Sequence, residues 1–176
     1  MAALINRPYW TGVFLKAWEN RPVIWLHGAR RVGKTSLAKM LGEVTYLNCD
    51  LPSVVRKLQD PESFYESLKA GSIVVFDEIH RLPDPSRVLK IGADEYHGIQ
   101  ILATGSSTLD ATKKFRDSLT GRKSSVYLPP VIWDESRDDF GVKDLDVKVA
   151  PFNNRIAVEK FLWAITEAAQ RAKEKK

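Results

Sequence analysis

Eight consecutive residues, Gly28-Ala29-Arg30-Arg31-Val32-Gly33-Lys34-Thr35, follow the spacing G-x-x-x-x-G-K-[ST]. Glycines at both ends let a backbone turn tightly and approach phosphate oxygens with no Cβ in the way, so that successive N–H groups line an anion nest. Lys34 supplies a point charge for β and γ phosphates, and the Thr35 hydroxyl suits a Mg²⁺ ion. Ser36 closes the candidate phosphate-binding set. The plain alternative is a glycine-bounded turn with a surface lysine. Context argues against it, because the apolar run Val23-Ile24-Trp25-Leu26 precedes the motif and a helix-like run, Ser36-Leu37-Ala38-Lys39-Met40-Leu41, follows.

A second group of reactive residues closes another apolar run. Ile73-Val74-Val75-Phe76 is followed by Asp77-Glu78. Asp77 is placed to hold Mg²⁺ directly or through water, and Glu78, one residue further on, to accept a proton from an attacking water. Ser106 and Ser107, past the run 99–104, offer hydroxyls to a γ-phosphate or a lytic water. Arg122 follows Gly121 and offers a positive charge to a γ-phosphate, in its own subunit or a neighbour's; an exposed turn arginine is equally consistent with the spacing. His27, His80 and His97 share no metal-ligand spacing. His80 invites comparison with the Asp-Glu-x-His box of helicases, but no other helicase block accompanies it.

The positioning elements can be read from hydrophobic period and punctuation. Tyr9 or Trp10 with Val13, Phe14 and Trp18 mark one face of a helix beginning near Pro8, either a packed lead-in helix or a wall of a purine pocket. Strands are expected at 23–26, 44–48, 73–76, 99–104 and 125–128. Helices are expected after the phosphate loop, burying Leu37, Met40 and Leu41, at 52–58, at 61–68, from about 86 to 96, and at 111–119. The 73–76 run is apolar at every position, the pattern of a parallel strand covered on both faces. Alternating strands and helices with right-handed crossovers make a doubly wound α/β sheet.

Composition narrows the class further. The 176 residues suffice for one domain with a real core, and 44% hydrophobic with 28% charged residues is ordinary for a globular chain. No run reaches the roughly 18 apolar residues of a membrane span. The N-terminal residues lack a signal-peptide pattern, so a cytoplasmic location is expected. A single cysteine, Cys49, excludes an internal disulfide, and its place after a strand-like run suits a small buried side chain better than a reactive thiol. A net charge of +5 permits nucleic-acid contact without requiring it. Pro129-Pro130 marks a change of character: an acidic, weakly patterned stretch covers 134–146, and helical spacing returns with Ile156, Val158, Phe161, Leu162, Ile165 and Ala169 before a basic end. We therefore expect a core at 1–130 and a loop with a helical extension at 131–176.

Five blocks carry a resemblance: the phosphate-loop octet, Tyr46-Leu47-Asn48-Cys49-Asp50, Phe76-Asp77-Glu78-Ile79-His80-Arg81-Leu82-Pro83, Thr104-Gly105-Ser106-Ser107 and Leu119-Thr120-Gly121-Arg122. In this order they resemble the AAA-type ATPase core of a large group of prokaryotic ATP-binding proteins, many with a nuclease-like C-terminal domain. The resemblance covers about residues 5–140. It implies a three-layer P-loop fold with five parallel strands in the order 5-1-4-3-2, ATP with Mg²⁺, and a glutamate-activated water. It further implies phosphate and metal roles for Lys34 and Thr35, Walker-B roles for Asp77 and Glu78, a sensor near Ser106, and an arginine finger or sensor at Arg122. The family continues into a winged-helix segment and a further domain, whereas this chain stops after one expected helix; a minimal or truncated member, or functions on a partner chain, are the open readings.

The leading expectation is thus an Mg²⁺-dependent ATPase or ATP-gated switch, with a homo-oligomer or partner protein completing it. Its rivals are a small-molecule or nucleotide kinase and a nucleotide-binding interaction module, DNA-associated or not, with little turnover. Adjacent Asp77 and Glu78 and the lack of an arginine-rich lid weigh against the kinase.

Overall fold

The computed structural model describes residues 7–29, 32–105 and 113–129, all within one compact unit, Met1–Asp139. Helix α1 (Pro8–Trp18) leads into strand β1 (Val23–His27), and the phosphate loop connects β1 to α2 (Lys34–Lys39). Then follow β2 (Val44–Asn48), α3 (Pro52–Lys57), α4 (Pro61–Glu66), β3 (Ile73–Asp77), a 3-10 turn (Ile79–Arg81), α5 (Pro85–Glu95), β4 (Gln100–Thr104), α6 (Lys113–Ser118) and β5 (Lys123–Tyr127). Proline in the first turn opens α1, α3, α4 and α5, where its fixed φ suits the helix and its missing N–H costs no bond. Asp60 and Asp84 cap α4 and α5 by accepting the N–H groups of Ser63 and Arg87.

All five strands are parallel, in the order β2-β3-β4-β1-β5, which is the expected 5-1-4-3-2 arrangement. Side chains alternate across a strand, so one sheet divides the apolar residues between two cores. Val23 and Trp25 of β1, Val74 and Phe76 of β3, and Ile101 and Ala103 of β4 pack with Phe64, Tyr65, Leu89 and Phe115 from α4, α5 and α6. Their neighbours Ile24, Leu26, Val75 and Leu102 face the other way, onto Trp10, Phe14 and Trp18 of α1 and Leu37 and Ala38 of α2. This double coverage explains the unbroken apolar run of β3. Truncating Trp25 or Phe76, both fully buried, to alanine should cost about 3–5 kcal/mol.

Several element bounds differ from the sequence expectation by one or two residues, and the differences at β5 and α2 have a clear physical reason. Strand β5 begins two residues early, at Lys123, because parallel pairing with β1 runs from Val23↔Lys123 to His27↔Tyr127 and backbone bonds are indifferent to the polar side chains there. Leu128 lies just past the strand, buried, with its N–H donated to the His27 carbonyl at 2.7 Å. Helix α2 ends at Lys39, where the Met40 N–H turns back to the Leu37 carbonyl in a tightened last turn; Leu37 and Ala38 are buried, while Met40 and Leu41 are only half-buried. Trp10, Phe14 and Trp18 take the packed lead-in role, and the indole N–H of Trp18 anchors α1 to the Ile101 carbonyl of β4 at 3.1 Å. The acidic stretch 134–146 and the helical face expected after residue 154 lie outside the described residues.

Candidate functional site

The phosphate loop leaves the sheet where β1 meets the end of β5. A Cβ on Gly28 would lie 2.2 Å from the Leu128 carbonyl oxygen, so only glycine fits there. Gly33 stands at φ +95°, a conformation that glycine adopts without steric cost. Between them the Lys34 ammonium spans the loop, donating to the Gly28 carbonyl at 3.1 Å and the Ala29 carbonyl at 2.8 Å. Thr35, half-buried, and Ser36, exposed, occupy the first turn of α2. Arg30 and Arg31 lie outside the described residues.

The acids stand at the same end of the sheet, at the close of β3, separated from β1 by β4. Asp77 is only 4% exposed, and such a carboxylate needs donors. Two hydroxyls supply them: Thr104 of β4 donates to Oδ1 and Tyr46 of β2 to Oδ2, each at 2.5 Å. The Thr104 hydroxyl also accepts the Glu78 N–H at 3.0 Å, so one buried oxygen ties both acids to β4. Glu78 itself is left-handed (φ 55°, ψ 43°), the only non-glycine with positive φ among the described residues, at a cost of about 1–2 kcal/mol. This kink turns the chain from β3 into the 3-10 turn Ile79–Arg81 and brings Glu78 Oε2 within 3.2 Å of His80 Nδ1. Burial, reinforced by the hydrogen bond to Asp77, pushes the Tyr46 phenol well above its usual range, so it stays a donor. The ring of Tyr46 also lies 5.0 Å from the Lys39 ammonium of α2, and α2 packs over β3 and β4.

Gly28, Gly33, Lys34, Thr35, Asp77 and Glu78 therefore gather at the carboxyl ends of the strands, the position where open α/β sheets take ligands. Ser106 and Ser107 lie outside the described residues. Arg122 does not join the group within its own chain. Its carbonyl accepts the Val23 N–H at the start of β1, about 15 Å of strand away from the loop. Its guanidinium grips Asp94 of α5, Nε to Oδ1 at 2.5 Å and Nη2 to Oδ2 at 3.0 Å, and this hydrogen bonding holds the Asp94 carboxyl below its usual range. Of the settings left open in the sequence, the phosphate of its own subunit, that of a neighbour, or an ordinary turn, this placement sets Arg122 apart from the loop of its own chain.

Cys49 is fully buried, its thiol pushed up to about 12 by burial and then by Asp77 and other nearby acids, in keeping with a packing role. His27 packs edge-on to Tyr127, His97 is exposed, and no three metal-ligating side chains of the His, Cys, Asp or Glu type cluster among the described residues. Sequence reading did not single out Tyr46, Thr104 or Arg7 individually. The usable signal for the first two is a hydroxyl-bearing residue on each strand flanking the acid-terminated strand.

Fold and site together define a P-loop ATPase core of the AAA type. The chain belongs to the AAA domain family, whose model matches residues 20–136. Among curated proteins it is 30% identical over 118 residues to an uncharacterized protein of Mycobacterium tuberculosis, covering 64% of this chain and 26% of that one. It is likewise 30% identical over 118 residues to the Holliday junction branch migration complex subunit RuvB of Acholeplasma laidlawii, covering 66% of this chain and 32% of the relative. The chain thus spans about a quarter to a third of the length of these relatives. Among solved structures, Aeropyrum pernix ORC1 in complex with DNA superposes with a TM-score of 0.53 at 14% identity, over 86% of this chain and 53% of ORC1. The Thermotoga maritima RuvB branch migration motor gives 0.48 at 20% identity, over 71% of this chain and 45% of RuvB. The likeness to ORC1 is one of fold.

Proposed function

We propose that this chain binds ATP with Mg²⁺ at the loop from Gly28 to Ser36 and hydrolyses the terminal phosphoanhydride. The observation that carries the reading is the meeting, at one sheet end, of a lysine reaching across a glycine-bounded loop with a buried aspartate and its neighbouring glutamate. The donor set fits the metal: Thr35 and Asp77 offer oxygen only, and Mg²⁺ in phosphate sites takes one or two protein oxygens with water and phosphate completing its shell. When bound, Mg²⁺ would neutralise charge on the β and γ phosphates. Asp77, whose two oxygens already accept hydroxyl protons, acts on the metal through water.

Lys34 exchanges the Gly28 and Ala29 carbonyls for phosphate oxygens. Glu78 takes the proton of the attacking water, its side chain 37% exposed at the rim of the site. The contact of Glu78 with His80 supports a gated form of the same reading: the glutamate must leave the imidazole before it can serve a water, which makes the turn Ile79–Arg81 a moving part. Arg122, remote from its own loop, acts toward the phosphate of a neighbouring copy, so turnover requires assembly. We place 131–176 as an extension of the ATPase core, and the protein in the cytoplasm.

Glu78→Gln tests the reading. ATP binding retained with phosphate release reduced by about 10²–10⁴-fold is the expected result; unchanged release would overturn Glu78 as the base. Phosphate appearing only with an added acceptor would instead identify a kinase.

A further inference from the structure

Arg7 stands just ahead of α1, twenty-one residues before the phosphate loop begins, yet it is 6% exposed and reaches that loop. Its Nη1 donates to the Val32 carbonyl at 3.1 Å, and the same nitrogen would lie 3.4 Å from a Cβ on Gly33. Its guanidinium carbon sits 5.8 Å from the ring centroid of Trp10, a residue of the α1 core, and its own carbonyl accepts the Trp10 N–H at 3.1 Å. The side chain therefore connects the first turn of α1 to the Val32–Gly33 peptide, one residue ahead of Lys34.

That peptide is trans, like every described one. In a trans peptide the C=O and the following N–H point to opposite sides. Turning the Val32 carbonyl toward Arg7 accordingly turns the Gly33 N–H away from it. We infer that Arg7 is a positioning residue of the phosphate loop: it holds the Val32–Gly33 peptide so that the Gly33 N–H faces the phosphate chain, and it couples α1 to nucleotide occupancy. The guanidinium suits this task because its planar fork fixes direction as well as distance, which a single ammonium does not. The inference rests on the nucleotide reading above and adds to it a residue outside the matched motif and outside residues 20–136.

The test uses the full chain, ADP with Mg²⁺, and calorimetric binding for wild type, Lys34→Ala, Arg7→Gln and Arg7→Lys. Arg7→Gln is expected to weaken binding about tenfold, and Arg7→Lys, which keeps the charge and one donor, to recover part of it. An Arg7→Gln protein that melts cooperatively and binds within about twofold of wild type would overturn the inference while leaving the nucleotide reading intact, provided Lys34→Ala loses binding. Absence of binding by wild type would overturn both. Should Arg7→Gln fail to fold, deuterium uptake by wild type decides: ADP–Mg²⁺ slowing exchange in the first turn of α1 as well as in the loop supports the coupling, and slowing confined to the loop overturns it.

Discussion

The phenolic hydroxyl of Tyr46 donates a 2.5 Å hydrogen bond to Oδ2 of Asp77, joining a residue of the sheet's edge strand to the acid proposed to act on the metal. The phenol is held neutral by its surroundings, so the bond fixes the carboxylate's orientation over the whole physiological range. Tyr46→Phe keeps the ring under Lys39 and removes only the hydroxyl. The Mg²⁺ concentration needed for half-maximal nucleotide binding should rise about three- to tenfold, with a stability loss of about 1 kcal/mol. A Mg²⁺ titration superposing on wild type would show that the bond does not serve the metal.

Thr104 has the larger structural burden. Its hydroxyl satisfies Asp77 Oδ1 and the Glu78 N–H at once, with the residue fully buried. Thr104→Val preserves shape and strands both groups, which should cost about 1–3 kcal/mol in denaturant unfolding; Thr104→Ser should recover most of it. Equal stability of the valine and serine variants would contradict the bonding described.

Gly28 and Gly12 form a matched pair of tests. Alanine at Gly28 would drive a Cβ against the Leu128 carbonyl, so loss of nucleotide binding together with a lowered melting temperature is expected. Gly12 is exposed within α1, and a Cβ there would meet nothing within 4 Å, so Gly12→Ala should stabilise by about 0.5–1 kcal/mol through helix propensity. Thermal melts of the two variants, expected to move in opposite directions, check the loop geometry against general tolerance of the fold.

Cys49, Tyr46 and Tyr65 all have folded pKa values raised by burial. Each keeps its proton in the folded state after the unfolded chain has lost it, so stability falls as pH rises above the ordinary thiol value of 9.0 toward the folded value of about 12 for Cys49. Melting temperature should therefore decline through that interval. Native protein at pH 8 should also resist iodoacetamide, since the buried thiol carries almost no thiolate; stoichiometric alkylation without unfolding would contradict the burial.

Much of this architecture was legible because local signals and tertiary demands agreed. The apolar run ending in Asp77 could be only a doubly covered strand, and the glycine-bounded loop before Lys34 could be only a tight strand-to-helix turn once its flanks were read. The start of β5 was not legible, since its first residues, Lys123 and Ser124, carry no apolar pattern and join the sheet through backbone pairing with Val23 and Ile24. The setting of Arg122 stayed open for a similar reason: nearness in motif order does not reveal at which end of a strand a residue stands, and only the register sets it beside Asp94. Arg7 was hidden because a single arginine before a helix has no periodic signature, and its value lies in a contact twenty-five positions away.

The far placement of Arg122 leads to a prediction about order of reaction. Arg122→Ala should leave nucleotide affinity within about twofold of wild type and remove any dependence of specific activity on protein concentration. Affinity falling in parallel with activity would instead mean that the residue supports its own site through the Asp94 contact.

The most direct test of the central claim is steady-state phosphate release from ATP with Mg²⁺, in wild type and Lys34→Ala, across a range of protein concentrations. An ATPase completed between copies predicts release that requires Lys34 and rises faster than linearly with concentration. Release equal in wild type and Lys34→Ala, or none despite measurable ATP binding, would contradict a self-assembling hydrolase at this loop.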